Sequence, residues 1–377
     1  MEQILGISSV LFNFIIALSV VVFVHELGHF VVARWNNVRC ESFSIGFGPE
    51  LLGFTDRLGT RWKFSLIPLG GYVKMFGEAD IANPGAGEEG AEGLEPREMT
   101  PEEKAVSFKF KTLGQRAAIV FAGPAVNFVF AILVFFVLFM AVGRPVTEPV
   151  IGQVVPGSAA AEAGLLAGDR ILAIDGQEID RFEDLQRLVP LGNGAEMRLT
   201  ILRADDILEV FAAPRVIEET DVFGNPQRRA LLGVSSSGES RMLVRHNPIS
   251  AVGLAVQQTY IVVESTFIAV GQIISGDRGT EDLGGPIRIA KFSDQAAKSG
   301  LANFVIFMAI LSINLGIINL FPVPLLDGGH LLFYAIEGLR GRPLSDQIQE
   351  WGLRFGLVLV LSLMVFVTWN DILQLLY

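Results

Sequence analysis

The sequence predicts a polytopic α-helical membrane protein with a soluble domain set into the chain. Three observations carry that assignment. The 377 residues are 51% hydrophobic at a mean hydropathy of +0.48, too apolar for an ordinary soluble chain of this charge content. The apolar residues come in blocks of about 20 or more, the length that spans a bilayer. Between two of the blocks, residues 146–240 switch to short strand, turn and helix signals. The net charge of −11 argues against a nucleic-acid partner. The single cysteine, Cys40, excludes an internal disulfide framework and a cysteine-rich zinc site.

The first block fills residues 1–35. It opens Met1-Glu2-Gln3 without a basic leader and runs apolar and uncharged from Ile4 to Val24, so it reads as a retained helix, not a cleaved signal. Arg34, Arg39, Arg57, Arg61 and Lys63 follow its helical stretch, Leu5 to Ala33, and such an excess marks the cytoplasmic side. Residues 41–76 alternate and break at Gly46-Phe47-Gly48-Pro49 and again at Pro68-Leu69-Gly70-Gly71, the pattern of a β-hairpin. It is either a cytoplasmic hairpin or one that dips into the membrane towards the first helix. Irregular backbone is tolerated at that depth only where protein covers it or water fills the cavity. Residues 77–116 hold an acidic loop, with nine carboxylates between Glu78 and Glu103, then a basic amphipathic interfacial segment. A second span fits 117–143; its Gly123, Pro124 and Asn127 suit close helix packing with one satisfied amide, the preferred reading, or else place Asn127 near a functional site.

Within 146–240 a strand, a small-residue helix, Gly168-Asp169-Arg170-Ile171-Leu172-Ala173-Ile174-Asp175-Gly176, a longer helix at Arg181–Leu188 and two further strands follow one another. This stretch resembles a PDZ domain, a class that binds peptides by strand addition beside a helix. Alternation of spans puts it on the extracytoplasmic side. Residues 248–275 are apolar but interrupted by Gln257, Gln258, Glu264 and Gln272, which suits an amphipathic or partly embedded helix. A third membrane region fits 301–336 and a fourth span 352–370, giving about four spans with both termini outside.

The chemistry centres on His25-Glu26-Leu27-Gly28-His29. On a helix the two imidazoles stand one turn apart on one face and can reach one metal ion, with Glu26 beside them as a base for water. Ionisable residues at the end of a membrane helix are costly and default to a functional site. A catalytic zinc needs a third ligand and an open position. Asp327 is preferred, arriving from another membrane segment after Pro322 and Pro324. His330, one turn further on, is the rival; the remaining histidine, His246, falls on the far side. Asn314 and Asn319 are candidate donors to substrate backbone or to a developing oxyanion. The residues also admit a PDZ-bearing membrane scaffold with structural zinc, another membrane zinc peptidase, or a metal transporter. The last is disfavoured by the few intramembrane carboxylates.

Asn319-Leu320-Phe321-Pro322-Val323-Pro324-Leu325-Leu326-Asp327-Gly328 resembles the Asn-x-x-Pro-x-x-x-Leu-Asp-Gly motif of the site-2 protease family of intramembrane zinc metalloproteases. With His25-Glu26-x-x-His29, the likeness covers nearly the whole chain. It implies Zn2+ on His25, His29 and Asp327, and Glu26 as catalytic base. It implies that the Gly46-Phe47-Gly48 hairpin is a membrane re-entrant β element near the substrate, with Asn314 the likelier substrate contact. It implies a bacterial inner-membrane enzyme with the active site towards the cytoplasm and the PDZ domain in the periplasm. Its substrate would be a single-pass transmembrane protein of the anti-sigma-factor kind, cut in regulated intramembrane proteolysis. One departure stands out: well-known members carry two tandem PDZ domains, and only one full pattern is present here.

Overall fold

The computed structural model describes residues 2–77, 99–220, 226–236, 241–276, 279 and 284–376. Most of the acidic loop and most of the polar loop after residue 276 lie outside the described residues. The helices are α1 Glu2–Trp35, α2 Pro101–Val106, α3 Leu113–Ala141, α4 Ala159–Glu162, α5 Phe182–Leu191, α6 Pro248–Ser275, α7 Pro286–Lys298, α8 Leu301–Leu320, α9 Asp327–Arg340 and α10 Asp346–Leu376. The strands are β1 Cys40–Thr55, β2 Arg61–Met75, β3 Arg144–Thr147, β4 Ile151–Val154, β5 Arg170–Ile174, β6 Gln177–Glu178, β7 Met197–Arg203, β8 Asp206–Ala212, β9 Arg215–Thr220, β10 Pro226–Leu231, β11 Val234–Ser236 and β12 Arg241–Val244. Two compact units result: residues 1–135, 254–264 and 284–371 form the first, and 136–253, 265–283 and 372–377 the second.

The first unit is built on α1. The chain there has no proline, and a helix is the form in which an apolar segment satisfies every backbone group internally. β1 and β2 pair as an antiparallel hairpin that folds over itself. Ser42–Ile45 pairs with Gly71–Lys74 on one side and with Arg61–Phe64 on the other, and Arg61–Ser65 pairs onward with Glu50–Thr55. Two strands therefore make four rungs. The fold-back needs Gly46 at φ 87° and Gly70 at φ 112°, conformations that a side chain resists. Phe43 is buried against α1: its ring meets Phe23 and Phe30 edge-on and stacks on Trp62, with centroids 4.4 Å apart in the stack. Asp294 of α7 accepts hydrogen bonds from Ser9 Oγ and Asn13 Nδ2 near the start of α1, at 2.9 and 3.0 Å. Asp371 of α10 receives the backbone N–H groups of Gly285, Ile287 and Arg288, so a remote carboxylate caps the start of α7.

In the second unit four antiparallel strands run in the order β6-β5-β7-β8. Helix α5 turns Phe182, Leu185 and Val189 onto a core with Ile151, Leu165, Ile171, Leu199 and Ile201. β4 pairs with β11 and β3 with β12. Asp169, in the expected Gly-Asp turn, is held by Arg203 Nε and Nη2 and by the Leu166 amide, each at 2.8 Å. Burial pushes the Asp169 carboxyl up, but these bonds outweigh it and hold the carboxyl below its usual range.

Among the described residues, five helices are long and apolar enough to cross a membrane: Ser8–Trp35, Leu113–Ala141, Pro248–Ser275, Leu301–Leu320 and Gln347–Gln374. The added one, α6, has a hydropathy of 1.2 against 2.0 to 2.5 for the others. The third membrane region, 301–336, is two helices. Pro322 and Pro324 remove the donors that would continue α8, and Leu325 takes φ 107° before α9 begins. α10 extends beyond 352–370 at both ends.

Candidate active site

His25 and His29 project from one face of α1, and both side chains are buried. Asp327 is the first residue of α9, delivered there by the broken segment after α8. Glycines let that segment close. A Cβ on Gly329 would lie 2.6 Å from Val323 C and Pro324 Cα, and one on Gly328 would collide with the Leu320 and Phe321 carbonyl oxygens. The outcome is a convergence of three ligand atoms. His25 Nε2 stands 3.2 Å and His29 Nε2 3.5 Å from Asp327 Oδ2, and the two nitrogens are 3.3 Å apart.

Those separations fit zinc. Ligands about 2.0–2.1 Å from a tetrahedral ion lie about 3.3–3.4 Å from one another. The donor chemistry fits as well. Asp327 Oδ2 is buried and has no hydrogen-bond partner. His29 Nδ1 is 2.9 Å from the Ile119 carbonyl, which can only accept, so the neutral ring carries its proton on Nδ1 and leaves the Nε2 lone pair towards the cluster. Among the described residues, His25, His29 and Asp327 form the only group of three or more metal-ligand side chains that converges in this way.

Glu26, next to His25 on α1, is half-buried and faces β2. A Cβ on Gly71 would come within 2.8 Å of Val22 Cγ1 and 3.1 Å of Glu26 Cγ, so strand backbone slides directly past the carboxylate. The close approach of α3 has the same origin. A Cβ on Gly28 would strike the Ala122 carbonyl, and one on Gly123 would strike the His29 ring.

His330, the rival ligand, is not in the cluster; its ring lies edge-on to Phe333 with centroids 6.4 Å apart. His246 belongs to the second unit. Asn314 and Asn319 are half-buried on α8. Gly46, Phe47 and Gly48 form the fold-back of the hairpin, where Phe47 is half-exposed and stacks on Tyr72 at 6.0 Å. Of the two readings of Asn127, packing is the one preferred from the sequence, and the structure brings the residue to the cluster as well. Its side chain is fully buried and its Nδ2 lies 3.1 Å from His25 Nδ1, while Ser312 Oγ donates to its backbone carbonyl at 3.1 Å. The signal was there in the sequence, since a lone amide in an apolar helix needs a partner.

The sequence profile of peptidase family M50 matches residues 13–363. A protein of Agrobacterium fabrum, provisionally named a zinc metalloprotease, is 46% identical over 95% of this chain and 94% of its own length. The regulator of sigma-E protease RseP of Salmonella typhimurium is 34% identical over 96% of this chain and 99% of its own length. That alignment runs 461 positions against the 377 residues here, so the relative carries a segment this chain lacks. A PDZ domain from Listeria monocytogenes overlays 24% of this chain and 87% of its own at 19% identity, with a TM-score of 0.19.

Proposed function

Because the chain belongs to peptidase family M50 and is a zinc metalloprotease by that membership, we propose that it hydrolyses peptide bonds within transmembrane segments of single-pass membrane proteins. The observation that carries the reading is the convergence of His25, His29 and Asp327 on a membrane-spanning helix. The catalytic base lies one residue along that helix.

His25, His29 and Asp327 would hold the zinc, which when bound supplies Lewis-acid activation of water and of the scissile carbonyl. Glu26 takes the proton of the attacking water and returns it to the leaving amine. Asn314, the likelier substrate contact, or Asn319 donates to substrate backbone or to the developing oxyanion. The Gly71–Met75 edge beside Glu26, with Gly46, Phe47 and Gly48 at the bend, offers backbone for an unwound substrate strand. This edge touches α1 at Val22, thirteen residues before Trp35 and so about 20 Å along the helix, which favours a hairpin that re-enters the membrane.

The packing also favours four spans. Ile119 meets His29 and Asn127 meets His25, so α3 runs opposite to α1 and leads towards the side where α1 starts. α7 meets α1 at Ser9 and Asn13, on that same side. The chain between α3 and α7, which contains α6, therefore returns to the side it left. α1, α3, α8 and α10 then span, and the inserted domain lies outside. Arg34 in the last turn of α1 and Arg39 after it, with Arg340, Arg342 and Arg354 around the α9–α10 turn, mark the cytoplasmic side of an inner-membrane protein. The inserted domain is read as one PDZ domain that docks a peptide segment. The substrate is read as an anti-sigma-factor-like protein, by analogy with the sigma-E relative.

The test compares wild type, Glu26→Gln and Asp327→Ala in detergent, measuring zinc content and cleavage of a single-pass substrate together. Glu26→Gln should keep zinc and lose roughly 10²–10⁴-fold in rate. Asp327→Ala should lose zinc. Wild-type cleavage rates in Glu26→Gln would sink the reading.

A further inference from the structure

We infer that Asn127 is a positioning residue that makes Nε2 of His25 the metal-binding nitrogen, by accepting a hydrogen bond from Nδ1–H through its side-chain oxygen. The inference rests on the proposed zinc site and concerns a residue outside the ligand set.

The amide of Asn127 is fully buried and faces His25 Nδ1 at 3.1 Å. Its Oδ1 is buried with no hydrogen-bond partner. A neutral imidazole carries one proton, on either Nδ1 or Nε2. If the amide N–H₂ donates to Nδ1, the proton must sit on Nε2, between His25 and Asp327, where a cation could not be bound. A half-turn of the amide exchanges nitrogen and oxygen in the same space. Oδ1 then accepts from Nδ1–H while the amide NH₂ takes its former place, and the Nε2 lone pair joins the lone pairs of His29 Nε2 and Asp327 Oδ2. His29 already has this arrangement, with the Ile119 carbonyl as acceptor. The two ligand imidazoles would thus be set by two acceptors from one helix, about two turns apart. Ser312, whose hydroxyl donates to the Asn127 backbone carbonyl, ties that part of α3 to α8.

Two variants of the full chain test this in detergent: Asn127→Ala, which removes the acceptor, and Asn127→Asp, which can only accept. Zinc dissociation constants come from chelator competition, and the cobalt-substituted absorption spectrum reports the ligand set. Asn127→Ala should bind zinc about 10–100-fold more weakly. Asn127→Asp should bind at least as tightly as wild type and keep the wild-type cobalt spectrum. A packing role alone predicts the reverse order, because a buried carboxylate without a donor harms the fold more than a methyl group does; that order overturns the inference. Histidine-selective ¹⁵N resonances of the zinc-loaded wild type need no variant, and the chain has only four histidines. His25 should show a metal-bound Nε2 and a protonated Nδ1; a metal-bound Nδ1 overturns the inference. If wild type binds no zinc, the underlying site assignment fails instead, and the inference falls with it.

Discussion

Gly123→Ala adds one methyl group and should abolish tight zinc binding. The new Cβ would collide with His29 Nε2 and lie 2.5 Å from Cε1 and 2.8 Å from Cδ2. Ordinary contact begins at 3.4 Å, so the ring must retreat by more than about 0.9 Å. The histidine is clamped on its other side by the Ile119 hydrogen bond and cannot slide freely. A bond of about 2.0–2.1 Å does not survive such a displacement. Loss of one of three protein ligands should weaken zinc binding about 100-fold or more, since even loss of an outer partner costs 10–100-fold. Overpacking of the α1–α3 contact adds about 1–3 kcal/mol of destabilisation. The control lies in the same helix: a Cβ on Gly114 meets nothing within 4 Å, so Gly114→Ala should leave zinc untouched and add up to about 1 kcal/mol of stability. Chelator competition on both purified variants, with gel filtration to confirm the fold, decides the matter. A Gly123→Ala protein that is monodisperse and binds zinc within threefold of wild type would refute the reasoning.

The hairpin corner separates two glycines of nearly equal φ. Gly46→Ala meets the Ile67 carbonyl at 2.6 Å and also a φ of 87°, whereas Gly48→Ala, at φ 86°, meets only Ile67 side-chain atoms from 3.9 Å outward. Both bear about 1–2 kcal/mol for the left-handed conformation, so cleavage should fall further in Gly46→Ala while zinc content stays at wild type in both; equal cleavage would show that the corner does not position substrate. Gly329→Ala should unseat Asp327 by pushing α9 away from Val323 and Pro324, and zinc retention is the readout. In the second unit, the carboxyl of Asp169 is held below its usual range, so its contribution is complete above the unfolded value of about pH 4 and is lost progressively as pH falls from there through the lower folded-state value. Asn at position 169 should lower stability at pH 7 by about 1–3 kcal/mol, measured by pulse proteolysis of the full chain. The difference from wild type should shrink towards pH 3, and a difference that grew on acidification would contradict the sign.

Legibility followed distance along the chain. His25 and His29 were readable because helical geometry alone brings residues four apart together. Asp327 was readable as an ionisable residue misplaced in an apolar block, although its partners lie some 300 residues away. The self-folded hairpin was not readable in the same way: strand signals and glycines announce turns, but the double pairing of Ser42–Ile45 is set by long-range register. The direction of α6 was likewise beyond composition. Its length and hydropathy suit a span, and the proposal that it does not cross rests on the contacts of Ser9, Asn13, Ile119 and Asn127.

Asn127 shows why a polar residue in a membrane helix invites two readings that composition cannot separate. An amide there can satisfy itself by joining helices, and Gly123 four residues earlier makes close packing the economical explanation. The structure gives both halves of that motif to one cluster. Gly123 clears the space for the His29 ring, and Asn127, one turn on, reaches Nδ1 of His25. The spacing of four on α3 thus mirrors the spacing of four on α1, because antiparallel helices in contact present matching turns to each other. Close packing is the means by which α3 brings an acceptor to each ligand imidazole. A substitution that loosens the helix pair should therefore weaken metal binding before it unfolds the protein.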